Sequence, residues 1–224
     1  MDLELVSFKI CPYVQRSIIT LKQKDAPFKL THLKMGDKPE WFQKISPLGQ
    51  VPVLVVDGQT PLFESSVINE FVDEATPGAL HPEDVIERAR HRAWIAFCND
   101  CMGDFSQMSM APSQEGFESA RDSLLKKLAR LEDAVSDGPL FAGQAFSLVD
   151  SSYAPMFMRL TLLEGWIADF SPFANLPKTA AWRDALLALP AVTESVVAEF
   201  PKLYRGFLVM RKGWLGQTYL ATKS

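Results

Sequence analysis

The sequence is short of most features that would place a chain at once. It has three cysteines in 224 residues, too few in a chain this long for a disulfide scaffold, so thiols are expected. It lacks an excess of either charge, with a formal net charge of −4. That gives no general attraction to nucleic acid or an anionic membrane surface. No apolar run approaches the roughly 20 residues that a membrane span requires; the clearest is "ALLALPAV" at 185–192. The first ten residues, "MDLELVSFKI", carry two acids and no basic region ahead of an apolar stretch, so a secretory signal is not expected. Internal repeats and low-complexity tracts are also missing. These absences lead us to expect a cytoplasmic protein with no nucleic-acid or membrane partner.

What is present is apolar material for a sizeable core, 47% of the chain, arranged in two halves with different patterns. The first 75 residues alternate in type. Strand-like "LELVSF" leads into "YVQRSIITLKQK", where Val14, Ile18 and Leu21 have helical spacing. "FKLTHLK" at 28–34 alternates as a strand, and "PEWFQKIS" at 39–46 reads as a short helix opened by Pro39. "VPVLVVDG" and "TPLFES" are two strands joined through Asp57-Gly58, a strong hairpin signal, and "SSVINEFVDEA" is an amphipathic helix. The order βαβαββα predicts a mixed four-stranded sheet with helices against it.

"TPGALHPED" breaks this pattern with two prolines and a glycine. We therefore expect a first domain over 1–76, a linker over 77–82 and an all-helical domain over 83–224. Helices are expected from about 83, from about 115, and at about 148–163, 177–188 and 190–198. "SLVD" at 147–150 forms a capping box with Asp150 in the place of the usual Glu, a folding signal for a buried helix.

The feature that carries chemistry is "FKICPYVQRS". Cys11 stands at the seam between strand and helix, one residue before Pro12, and proline suits the first position of a helix. A helix start offers free N–H groups and the positive end of the dipole, so the position predicts a lowered thiol pKa and a thiolate near neutral pH. Val14 occupies the place of a resolving cysteine, which excludes a C-x-x-C dithiol. A lone thiolate forms a mixed disulfide that a second thiol from solution must release. The chain should therefore hold a small abundant thiol. "GQVPVL" puts Pro52 before a strand, where a cis bond would turn the Val51 backbone outward to pair with an extended ligand. "FESS" places Glu64 and Ser65 at a helix start, suited to an ammonium and a carboxylate.

With these motifs in order, the chain resembles the cytosolic glutathione transferases, closest to the omega-like, cysteine-containing classes. "CPYVQRS", "DKPEWFQKISPLGQVPVL", "LFESSVINEFVDEA" and "SLVD" carry the resemblance, densely over 5–75 and continuously after it. It implies an α/β thioredoxin-like N-terminal domain, an all-α C-terminal domain and a homodimer, with glutathione as co-substrate and no metal. By motif, Cys11 would be the catalytic thiol and Tyr13 would flank glutathione. Lys38 would approach its glycyl end, Val51 beside Pro52 would pair with its cysteinyl backbone, and Glu64 and Ser65 would hold its γ-glutamyl group.

The function this implies is glutathione-dependent thiol transfer or reduction, with dehydroascorbate, an S-glutathionyl ketone or a small mixed disulfide as acceptor. Two alternatives stay open. One is glutathione-dependent dehalogenation or ether cleavage of an aromatic. The other is a non-catalytic relative, akin to the intracellular chloride-channel or RNA-polymerase-associated stress proteins. Cys98 and Cys101, in "CNDC", fall inside a helical pattern and read as buried structural thiols, with a redox role as the alternative. His32, His81 and His91 are scattered and read as structural. The tail after Glu199 has no acid and five basic residues, Lys202, Arg205, Arg211, Lys212 and Lys223. Its aromatics Tyr204, Phe207, Trp214 and Tyr219 either wall the second-substrate pocket or cover the helical core. Trp166 and Met108 to Met110 are further candidates for lining that pocket, with core as the favoured reading.

Overall fold

The computed structural model describes residues 1–34, 36 and 38–221. Its first half is a four-stranded sheet in the order β2-β1-β3-β4. The strands are β1 (Leu3–Ser7), β2 (Lys29–His32), β3 (Val53–Val56) and β4 (Thr60–Phe63). β1 pairs β2 in parallel across α1 (Pro12–Gln23), and β3 pairs both β1 and β4 antiparallel. Alternation sorts the side chains. Leu3, Leu5 and Leu54 point to the face covered by α1 and α3 (Ser65–Ala75), where they meet Val14, Ile18, Leu21, Ile68 and Val72. Val6 and Val53 point to the other face, against Phe42 of α2 (Glu40–Ile45). The β3–β4 turn is made where Asp57 and Gly58 both adopt positive φ, as the Asp-Gly signal requires.

β2 departs from the half-buried strand its alternation suggested. It is an edge strand, and Leu30 is 37% exposed.

The second half is helical: α4 (Val85–Met110), α5 (Gln114–Ala134), α6 (Leu148–Trp166), α7 (Pro177–Ala188), α8 (Pro190–Thr193) and α9 (Phe200–Met210), followed by a π-helical turn at Gly216–Leu220. α6 runs through the centre and is buried on nearly every face. Its start is held by the expected capping box: Asp150 accepts from Ser147 N–H at 2.8 Å and from the Ser147 hydroxyl at 2.6 Å. The same carboxylate also accepts from Phe141 N–H and from Trp182 Nε1–H. It ties α6 to α7 as well as capping it.

The helix expected over 190–198 is shorter, ending at Thr193. Ser195 explains the stop: its hydroxyl donates to the Val192 carbonyl and accepts from Gln15 Nε2, which draws the chain onto α1.

α1 belongs to both halves, since Ile19 packs into the core of the helical domain while Ile18 packs under the sheet. At its far end Lys24 and Asp73 form an ion pair of 2.8 Å with both side chains buried. Lys24 also donates to the Gly78 carbonyl. Asp73 accepts from Leu80 and His81 N–H, so the segment between α3 and α4 is pinned down.

Candidate functional site

α1 begins at Cys11, whose φ of −74° and ψ of 121° keep it extended while Pro12 opens the helix. The N–H groups of Tyr13 and Val14 are directed at its sulfur, and the thiol lies 3.9 Å from the Val51 carbonyl. The sequence position predicted a lowered pKa; in the folded chain the balance goes the other way. Burial pushes the Cys11 thiol up, and the N–H groups of Val14 and Tyr13 with the charges of Arg159 and Arg16 offset it only partly. The expectation of a thiolate near neutral pH is therefore corrected for the free protein. At this position two N–H groups do not outweigh the loss of solvent around the sulfur.

Beside Cys11 lies a cavity of about 610 Å³. The structure brings Tyr13, Lys38, Val51, Pro52, Glu64 and Ser65 to its walls. The Val51–Pro52 peptide is cis. Glu64 stands just before α3 with φ of 70°, a left-handed conformation that a non-glycine residue adopts at a cost. Ser66 follows Ser65 on the wall. The N–H groups of the first turn of α3 have no intrahelical partner, which suits an anion there.

Several wall residues are not legible as such in the sequence, and three of them shape the cavity. Ser46 clamps the loop before Val51, accepting from Gln50 N–H and donating to the Gln50 carbonyl, each at 2.8 Å. Gly49 holds φ of 60°, and a Cβ there would sit 3.0 Å from Lys38 Nζ. Asn99 reaches the cavity from α4 in the helical half.

Cys11 itself opens on the far side of Tyr13, into a second cavity of about 430 Å³. Its walls are mostly apolar, with Phe105 and Met110 from α4 and Tyr204 and Phe207 from α9. This divides the tail aromatics. Tyr204 and Phe207 wall the cavity, whereas Trp214 packs on Phe117 and Tyr219 on Trp214 over the helical core. Met108 is core, as expected, while Met110 faces the cavity. Trp166 lies against Tyr204 at 6.1 Å between ring centres. Lys223 lies outside the described residues.

Arg159, also missed, is 1% exposed and donates to the Ile10 carbonyl, to Gln15 Oε1 and to the Pro155 carbonyl. It holds the peptide just before Cys11. Burial pushes its pKa down to about 10, which leaves it charged at neutral pH.

Cys98 and Cys101 are buried within α4, and burial pushes both thiols up. His32 lies on the edge strand. His81 and His91 form a buried pair with ring centres 6.2 Å apart. Among the described residues no group of three or more His, Cys, Asp or Glu side chains is placed to hold a metal, and no helix is long and apolar enough to cross a membrane.

Comparison with known proteins agrees with this geometry. Residues 5–80 match the family model for the glutathione S-transferase N-terminal domain, and residues 84–185 match that for the C-terminal domain. The chain belongs to the glutathione transferase family and is an enzyme of that type. Within the family it is omega-like. It is 29% identical to rat glutathione S-transferase omega-1, over 92% of this chain and 85% of the relative. It is 30% identical to pyrimidodiazepine synthase of Drosophila melanogaster, over 85% and 79%. The crystal structure of glutathione transferase Omega 3C from Trametes versicolor superposes with a TM-score of 0.79 at 30% identity, covering 87% of this chain and 89% of that one.

Proposed function

We propose that this chain is a glutathione-dependent thiol transferase or reductase with Cys11 as nucleophile. The observation that carries the reading is a lone thiol at a helix start, 3.9 Å from the carbonyl of Val51, which walls a cavity together with Tyr13, Lys38, Pro52, Glu64 and Ser65. In this reading glutathione lies along Val51, with its γ-glutamyl ammonium on Glu64, its carboxylate on Ser65 and the first turn of α3, and its glycyl end toward Lys38. The Cys11 thiolate attacks the glutathionyl sulfur of a substrate R–S–SG, forming a Cys11–SG disulfide while RS⁻ leaves and is protonated. A second glutathione thiolate attacks that disulfide, releasing oxidised glutathione and the Cys11 thiolate. Of the acceptors we assign, a small mixed disulfide follows this route directly. With an S-glutathionyl ketone the thiolate attacks the thioether sulfur, and the carbon leaves as an enolate that takes a proton. With dehydroascorbate the thiolate adds to a carbonyl, a first glutathione attacks that sulfur to release ascorbate and leave Cys11–SG, and a second releases oxidised glutathione.

One observation favours a second reading. The cavity on the far side of Cys11 is walled by Phe105, Tyr204 and Phe207, which suits an aromatic substrate and hence reductive dehalogenation or ether cleavage by the same thiol.

We divide the work between residues 1–76, which take glutathione, and 83–224, which take the second substrate, joined by 77–82. Three unpaired thiols suit a reducing, cytoplasmic setting. Exposed Leu48, Phe63 and Val67 suit a homodimer contact, which sedimentation would test.

The decisive experiment is mass spectrometry after incubation with oxidised glutathione. We expect an adduct on Cys11 that reduced glutathione removes. Modification confined to Cys98 or Cys101 overturns the assignment.

A further inference from the structure

Arg16 of α1 is 1% exposed, and among the described residues no carboxylate pairs with it. A buried cation without a counter-charge is costly, so its hydrogen bonds matter. Nε donates to the Ser152 carbonyl at 2.9 Å, and Nη2 donates to Cys98 Sγ at 3.1 Å. The guanidinium lies 4.9 Å from the centre of the Tyr13 ring. Nη1 donates to Asn99 Oδ1 at 2.6 Å. That last bond decides how the Asn99 amide is turned. A guanidinium can only donate, so the amide must offer it oxygen, and its two N–H groups are left on the other side. Among the described residues they have no hydrogen-bond acceptor, and Asn99 lies in the wall of the same cavity as Glu64, Ser65 and Ser66. Polarisation by Arg16 makes the amide a stronger donor than a free asparagine.

We propose that Asn99, oriented by Arg16, donates from the helical domain to the α-carboxylate of the γ-glutamyl group of bound glutathione and so selects for that carboxylate. The inference rests on the glutathione reading above. Asn99 is the specificity residue, and Arg16 is a positioning residue that acts through it. The bound carboxylate supplies, across one amide, the anion that Arg16 lacks in the free chain. The γ-glutamyl end is then held by both domains.

The test compares two ligands on the full chain by calorimetry: glutathione, and 4-aminobutyryl-cysteinyl-glycine, which is glutathione without that carboxylate. Asn99→Ala, an exposed position whose folding is checked by circular dichroism, is expected to weaken glutathione about tenfold, the size of one hydrogen bond to a charged group. The analogue's affinity should change less than about twofold. In turnover the KM for glutathione should rise while kcat holds. Equal losses for both ligands, or none for glutathione, overturn the inference while unaltered glutathione binding by the parent chain keeps the broader reading. A parent chain that binds no glutathione sinks both.

Discussion

Cys11 and the pair Cys98 and Cys101 are thiols on α-helices of one chain, and they differ in nearly every physical respect. Cys11 precedes its helix, receives two N–H groups and opens on a cavity. Cys98 and Cys101 lie inside α4, where every backbone N–H is already spent on the helix, and both are fully buried. Arg16 lowers the pKa of Cys11 and of Cys98 alike, yet burial outweighs it at both. A nearby cation therefore does not distinguish the thiol proposed as nucleophile from the two in α4. Access and free donors do.

The largest test of that contrast is substitution. Cys11→Ser should cut thiol-transfer turnover on the order of a thousandfold, while Cys98→Ala and Cys101→Ala stay within a few-fold of the parent. A Cys11→Ser variant with a tenth of the parent rate would abolish the distinction.

Next comes reactivity toward iodoacetamide, followed by peptide mapping. Cys11 should be alkylated in the folded chain at least about a hundredfold faster than Cys98 or Cys101, because access separates them. Its rate should keep rising with pH past about 8.5, the ordinary thiol value, since burial raises its pKa. A plateau reached by pH 7 would restore the picture drawn from helix position alone.

A smaller effect is expected in stability. Cys98→Ala leaves Arg16 Nη2 without its sulfur acceptor and opens a small void, which should cost about 1–3 kcal/mol in denaturant unfolding. Cys11→Ala should cost less.

The smallest effect separates chemistry from unfolding along the pH axis. Burial lowers the pKa of His81 and of His91. The folded state thus favours their neutral forms. The stability this contributes is complete above about pH 6.5, the ordinary histidine value, and is lost as pH falls through the lowered values. Thermal melts should decline on the acid side of neutrality, and His91→Phe should flatten that decline. Cys11 reactivity changes on the alkaline side, so the two profiles should not overlap.

Most of the first domain could be read from the sequence because its signals are local. Asp57-Gly58 marked the hairpin and Val14, Ile18 and Leu21 the buried face of α1; in the second domain the equally local pair Ser147 and Asp150 marked the start of α6. Val51, Glu64 and Ser65 stand out from the residues themselves and Tyr13 and Lys38 through the family resemblance, and all five line one cavity.

What was missed depends on partners far along the chain. Arg159 meets Ile10, Ser195 meets Gln15, and Asn99 meets Arg16, in each case across more than 80 residues. No periodicity encodes such pairs. α9 was overlooked for a different reason: Pro201 and Gly206 look like breaks, although proline is at home in the first turn of a helix. The thiol pKa is not legible because helix position is visible in sequence and burial in the folded chain is not.

α1 is a rod of 12 residues, about 18 Å long at 1.5 Å per residue, with the thiol at its head and the buried Lys24–Asp73 pair at its foot. Its middle is embedded in both cores. The two domains thus share one shaft, with Ile18 seated in one core and Ile19 in the other. The same shaft carries the thiol to a cavity whose outer wall, Phe207 and Met110, belongs wholly to the helical half.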